Sequence, residues 1–292
     1  MGSLDSAAIL YANLQQAERR VQGAVCPIYG IDEHDRPQLI GSSVPFRLGT
    51  RSFLLTAAHV LNENRRTSLY VGGVNDLVPL AGPSHRTGTT IDGRRGDSFD
   101  FGFIDISDTP PEQWLRYQFV TPDYLDVDDV PAADALYAFV GYPETRNKRL
   151  WGQKFQLSPM AIVLMPTPLR RYDSLGLNPT AQFAGEFSRN KQFDSKKRVV
   201  VGPEPHGISG GGVWRLGTPG EFATSTNAER LVGLGIEYRA SRSVLVGVRI
   251  SLVVAALAQI FPELRENLPR PALVRTNFIM GNPPSQPQST RP

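Results

Sequence analysis

The chain has 292 residues, 40% hydrophobic and 20% charged, with a formal net charge of +3. This is an ordinary globular composition, long enough to bury a substantial core in one large domain or two small ones. No apolar run approaches the roughly 20 residues that cross a bilayer. The basic pairs and triplet (Arg65-Arg66, Arg94-Arg95, Arg170-Arg171, Lys196-Lys197-Arg198) are scattered rather than gathered in a stripe. Neither a membrane nor nucleic acid is therefore an expected partner.

Residues 6–20 read as an amphipathic helix with Ala7, Ile9, Leu10, Ala12 and Leu14 partly on one face. The segment ends in charge and has no sustained apolar h-region, so residues 1–22 are expected to be a helical extension rather than a secretory leader. Cys26 is the single cysteine, which excludes an intramolecular disulfide and points to a reducing compartment, most simply the cytoplasm. Its setting, Ala24-Val25-Cys26-Pro27-Ile28, reads as the start of a strand that buries a small apolar side chain.

From Gly23 onward the pattern changes to short strands bounded by Gly, Pro, Asp or Asn. The first group is Val25–Tyr29, Leu39–Leu48, Ser52–Ala57, Thr67–Val71, Phe101–Ile106 and Leu136–Val140, and residues 108–135 read as a connection rich in Pro and Asp. A second group follows at Gln153–Leu157, Ala161–Leu164, Gln182–Phe187, Val199–Val201, Gly211–Leu216, Leu231–Ile236 and Val244–Ile250. Ser251 stands where an N-cap belongs, ahead of an apolar helix over 252–261 that Pro262 stops. The tail, 263–292, is rich in Pro toward its end and is expected to be disordered. The predicted class is all-β with helices at both ends.

Gly207-Ile208-Ser209-Gly210-Gly211 reads as a serine nucleophile in a tight glycine-rich turn. A serine hydroxyl needs a base to take its proton, and the base needs a carboxylate to fix its tautomer. His59 follows the apolar run Phe53-Leu54-Leu55-Thr56-Ala57-Ala58, whose small residues allow the chain to turn and the imidazole to face a cleft. Asp100 heads Phe101-Gly102-Phe103-Ile104 and is the preferred carboxylate, with Asp97 and Asp105 as competitors. The N–H groups of Gly207 and Ser209 are the natural oxyanion donors. No metal or other cofactor is expected: His34, His59, His85 and His206 show no i, i+4 pairing and there is no cysteine cluster. Nor does a Gly-Lys-Ser/Thr P-loop follow a strand at the glycine-rich turn.

At these residues the chain resembles the chymotrypsin/trypsin-like serine peptidases, above all their disulfide-free bacterial and HtrA-type branches. Thr56-Ala57-Ala58-His59 matches the histidine motif of that family, Asp100-Phe101-Gly102-Phe103-Ile104 its aspartate strand, and Gly207-Ile208-Ser209-Gly210-Gly211 its Gly-x-Ser-Gly-Gly. Val246-Gly247-Val248-Arg249-Ile250-Ser251 resembles the family's ending, and the likeness spans roughly 23–262. It implies two antiparallel β-barrels: 23–125 carrying His59 and Asp100, and a linker plus second barrel and closing helix over 126–262 carrying Ser209.

The implied activity is hydrolysis of a protein or peptide substrate through an acyl-enzyme, with a regulatory protein partner or ligand as a further expectation. The resemblance also places Ile236, Glu237 and Tyr238 along a substrate-binding strand, with Pro203, His206 and Leu245 about the first pocket. Leu245 argues for a shallow apolar pocket, while Glu237 leaves a basic side chain open. His206 lines the pocket or is simply solvated.

One departure is chemical. Ile208 stands where the zymogen branch has an Asp that pairs with a newly cut amino terminus, so cleavage after Arg20 in Arg20-Val21-Gln22-Gly23 is not expected to be needed. Two rivals remain: a protease fold kept as a binding scaffold, and an esterase of another fold. The His, Asp, Ser order speaks against the second.

Overall fold

The computed structural model describes residues 2–73, 76–88, 99–128, 130–146, 158–193, 199–202, 204–224, 228–269 and 280–281. The chain opens with α1 (Gly2–Gln22) and continues through β1 (Cys26–Ile31), β2 (Pro37–Leu48) and β3 (Arg51–Ala57) into the short α2 (Ala58–Asn62). β4 (Tyr70–Gly72), β5 (Leu77–Pro79), β6 (Ser84–Thr87) and β7 (Phe101–Asp105) follow. After the connection come β8 (Leu136–Gly141), β9 (Met160–Leu164), α3 (Tyr172–Leu175), β10 (Gln182–Glu186), β11 (Gln192–Phe193) and β12 (Val199–Val200). β13 (Gly212–Gly217), α4 (Pro219–Ala223), β14 (Arg230–Arg239), β15 (Val244–Arg249), α5 (Ile250–Ile260) and β16 (Met280–Gly281) complete the described elements.

Two antiparallel sheets dominate. The first has eight strands in the order β16-β6-β7-β3-β2-β1-β4-β5, and the second six in the order β10-β15-β14-β13-β8-β9. β5 and β6 lie toward opposite ends of the first order yet only residues 80–83 separate them, so that sheet curls back on itself. In the second, Thr167 N–H donates to Ala184 O at 2.8 Å and Glu186 N–H to Met165 O at 3.2 Å, bringing the continuation of β9 against β10. β11 and β12 form a separate two-stranded ribbon.

The alternation of the sequence explains which faces are buried. Phe46, Phe53, Leu55, Phe101 and Phe103 fill a large apolar cluster that extends through Trp214, Leu234 and the buried face of α5. Tyr137, Phe139, Phe183, Phe187, Val213 and Leu245 fill a smaller one inside the second sheet.

The connection is stitched to both sheets. Val120 exchanges hydrogen bonds with β2, its N–H reaching Pro45 O and its carbonyl taking Arg47 N–H, while Asp126 N–H reaches Leu231 O on β14. Among its described residues it contains no strand, and 3-10 turns form at Pro111–Trp114 and Pro122–Tyr124.

α1 precedes the first sheet but docks on the second half of the molecule. Ala17 and Val21, one turn apart, are buried, Asn13 Nδ2 donates to Phe222 O at 2.5 Å, and Arg20 pairs with the buried Glu229 carboxylate.

Several expectations need correction. The sheets are antiparallel β as expected, and helices take up 29% of the structure, in the two expected terminal helices and in shorter ones between. The closing helix starts at Ile250 with Arg249 as N-cap, so Ser251 lies inside its first turn, buried. Arg249 is extended there (φ −68°, ψ 141°), much as Ala57 is at the start of α2 (φ −75°, ψ 144°), and its Nε donates to the Pro179 carbonyl. α4 was not foreseen, although Thr218 and Glu221 form a reciprocal capping box at its start. Pro262–Asn267 is a 3-10 helix with Leu264 buried, and Met280–Gly281 pairs with Thr87 and Arg86, so parts of the expected tail are ordered against the body. The strand predicted at 153–157 lies outside the described residues, as do Pro203 and Asp97.

Candidate active site

The register of β3 with β7 sets Ala57 opposite Phe101, which brings the start of α2 beside Asp100. Ala57, the N-cap of α2, has no side chain able to cap it. Asp100 does this from across the sheet: its carbonyl accepts Ala58 N–H at 3.0 Å and its Oδ1 accepts His59 N–H at 2.9 Å. Two otherwise orphaned amides of the helix start are thereby satisfied. The other carboxylate oxygen, Oδ2, lies 2.6 Å from His59 Nδ1. With the proton on Nδ1, a neutral imidazole offers Nε2 as its acceptor.

Asp100 reaches this geometry with φ +43°, in the left-handed region that Asp tolerates better than most side chains. Both side chains keep about a fifth of their surface exposed, 18% for His59 and 20% for Asp100. Of the competing carboxylates, Asp105 is engaged elsewhere, bonded by Arg51 Nη1 at 2.8 Å.

The turn that carries Ser209 packs against the same corner. Ser42 N–H donates to Ser209 O at 2.8 Å, and Thr56 Oγ1 donates to Ser42 O at 2.7 Å. Gly210, at φ +84°, is so close that a methyl there would overlap Thr56 Oγ1 and the Ser42 carbonyl. Gly207 adopts φ +90°. Glycine is needed at both, since an L side chain resists this backbone.

The carbonyls of the turn are occupied: His206 O by Glu144 N–H at 2.8 Å, Gly207 O by Ser42 Oγ at 2.8 Å, and Ile208 O by Gly211 N–H at 2.8 Å. Among the described residues the N–H groups of Gly207 and Ser209 have no acceptor. Among the same residues no hydrogen bond joins the Ser209 hydroxyl to the His59 ring, so the two meet only through neighbouring backbone.

Gly210 N–H donates to Gly235 O at 2.7 Å and Gly235 N–H to Gly211 O at 2.8 Å, so β14 leaves from the turn itself. This sets Ile236, Glu237 and Tyr238 beside it. Ile236 is buried, Glu237 is exposed and bonded by Arg239 Nε at 2.8 Å, and Tyr238 meets the Phe187 ring edge-on at 5.6 Å between centroids. Leu245 lies opposite Tyr238 and is buried in the smaller apolar cluster. The His206 side chain is 76% exposed, 3.6 Å from Glu204.

Ile208, buried at 3% exposure, belongs to that same cluster with Phe139 and Val213. Cys26 is wholly buried against Ser43, and desolvation pushes its thiol up to about 12, far from a thiolate at neutral pH. Three contributors went unnoticed in the sequence: Ser42, Glu144 through its amide, and Ile208 as an apolar anchor. Ser42 leaves a trace, as one of two adjacent serines inside the strand 39–48, and Ile208 is marked in the sequence only by the Asp it replaces.

No protein-family model and no curated protein matches the chain. A solved structure described as "Structure of GrC" is similar in three dimensions, with a TM-score of 0.50 at 13% sequence identity, over 82% of this chain and 95% of that one. The fold is distantly related to the trypsin-like fold. At this identity the likeness concerns the fold alone. It agrees with the two antiparallel sheets.

Proposed function

We propose that the chain is a serine endopeptidase acting through an acyl-enzyme, with Ser209 as nucleophile, His59 as base and Asp100 as the carboxylate that orients the ring. The single observation that carries this reading is the Asp100–His59 pair at 2.6 Å beside a turn whose Gly207 and Ser209 amides have no acceptor among the described residues. His59 takes the hydroxyl proton as Ser209 attacks the carbonyl, then returns it to the leaving amine. The tetrahedral oxygen accepts from the two amides. The Ser209–His59 hydrogen bond must close when substrate binds, which is common where the unliganded geometry is loose.

In this reading the two curled sheets are two antiparallel barrels, 23–125 and 126–262, with 1–22 and 263–292 as extensions. Ile236, Glu237, Tyr238, Leu245, Pro203 and His206 would shape substrate binding. Ile208 makes a cut after Arg20 unnecessary: its side chain is anchored by apolar packing, and Val21 is already buried within α1. The single cysteine favours a reducing cytoplasm. No helix among the described residues is long and apolar enough to cross a membrane.

A second reading has one observation in its favour. A Ser209 hydroxyl with no hydrogen bond to the His59 ring among the described residues suits a silent trypsin-fold scaffold, or an enzyme that waits for a partner or ligand. A fluorophosphonate probe separates these: labelling that vanishes in Ser209→Ala supports the hydrolase, and no labelling in any condition favours the scaffold.

A further inference from the structure

Ser42 sits on β2, wholly buried, where the two sheets meet. Its hydroxyl donates to Gly207 O and accepts Tyr142 N–H, both at 2.8 Å. Its own N–H holds Ser209 O at 2.8 Å. A serine hydroxyl has a single proton to give, and Gly207 receives it. Two carbonyls of the nucleophile turn therefore end on one residue of the opposite sheet.

Peptide planarity makes this consequential. The N–H and C=O of a trans peptide point in opposite directions, so pinning a carbonyl pins the amide behind it. Glu144 N–H fixes the peptide that carries Gly207 N–H, and Gly211 N–H fixes the one that carries Ser209 N–H. The peptide between those two is held by Ser42 Oγ at its carbonyl and by Pro205 O at its N–H, the latter at 3.1 Å. Gly207 offers little steric resistance to its rotation, so hydrogen bonds must supply it.

Resting on the hydrolase reading, the geometry points to Ser42 as a positioning residue: its buried hydroxyl holds the turn so that the Gly207 and Ser209 amides converge on one oxyanion. It touches no substrate. A residue that only stabilised the fold would satisfy Tyr142 N–H equally well, but its loss would not single out the tetrahedral state.

The test uses the full chain as wild type, Ser42→Ala and Ser42→Cys, with p-nitrophenyl acetate as substrate and phenylboronic acid as a tetrahedral mimic. Ser42→Ala should lower kcat about 10- to 100-fold with KM within about twofold, and weaken the boronic acid by the same factor. Ser42→Cys, a weaker donor, should fall between. Wild-type kcat and boronic-acid affinity in a folded Ser42→Ala overturn the proposal, as do losses that merely follow the melting temperature with KM rising in step. Should Ser42→Ala fail to fold, a folded Ser42→Cys at wild-type kcat overturns it. Wild-type protein that neither labels with fluorophosphonate nor cleaves the ester removes the hydrolase reading and the Ser42 role with it. Labelling of Ser42→Ala as fast as wild type removes the Ser42 role alone.

Discussion

The two halves of the candidate site are held in different ways. On the first sheet, His59 and Asp100 are joined through their own side chains, and Asp100 also caps the helix that presents the imidazole. On the second, the Ser209 turn is held by its main chain, through Ser42, Glu144, Gly211 and Gly235, with Ile208 as its apolar anchor. A side-chain lock depends on the identity of two residues, whereas the hold on the turn's main chain depends, the Ser42 hydroxyl apart, on where neighbouring segments arrive. Substitution should therefore injure chemistry on the first side and conformation on the second.

The largest expected effect tests the first lock. Asp100→Asn should lower kcat by about 10³- to 10⁴-fold, because the amide no longer enforces the right imidazole tautomer. Asn still accepts His59 N–H, so stability should hardly change, while Asp100→Ala should lose the activity and about 1 kcal/mol of stability as well. Steady-state kinetics beside urea melts check this, and equal stability of the two variants would break the contrast.

Ile208→Asp comes next. It buries a carboxylate among apolar side chains and should cost about 3–5 kcal/mol or shift the residue into its neutral form, with loss of fluorophosphonate labelling. A stable, active variant would show that the anchor is not apolar. Gly210→Ala should cost about 2–3 kcal/mol, from an L residue forced to positive φ plus overlap with Thr56 and Ser42, and denaturant titration reads it directly.

The smallest effect sharpens the comparison by lying outside both locks. Burial among Phe103 and Phe261 holds the His85 imidazole below its ordinary value, with Asp105 opposing. Its neutral form is favoured in the folded chain, so the unfolded chain takes up the proton first. That contribution is complete above the unfolded value of about 6.5 and is lost as pH falls through it toward the folded value. His85→Phe should flatten the loss of stability that sets in as pH falls below about 6.5, read by urea melts across pH, with fluorophosphonate labelling left in place.

Much of the fold was legible because short strands announce themselves: β2, β7, β8, β13 and β15 lie within two residues of their predicted bounds. The helix starts were less so. Ser251 looks like a cap, but the chain stays extended only through Arg249 and turns two residues sooner than a cap at Ser251 requires. α2 was missed because its cap, Asp100, is distant in sequence, and cap rules read only the residues just ahead of a helix.

By itself the sequence determined the chemistry on offer: an imidazole after a buried strand, a carboxylate at the head of another, and a hydroxyl among glycines, because side-chain type and strand periodicity are local properties. Only the tertiary structure decided which carboxylate meets His59, that Ser42 and Glu144 orient the Ser209 turn, and that Ile208 fills an apolar cluster. Those outcomes depend on the register of paired strands and on main-chain hydrogen bonds between distant segments, and every residue carries the same N–H and C=O to make them.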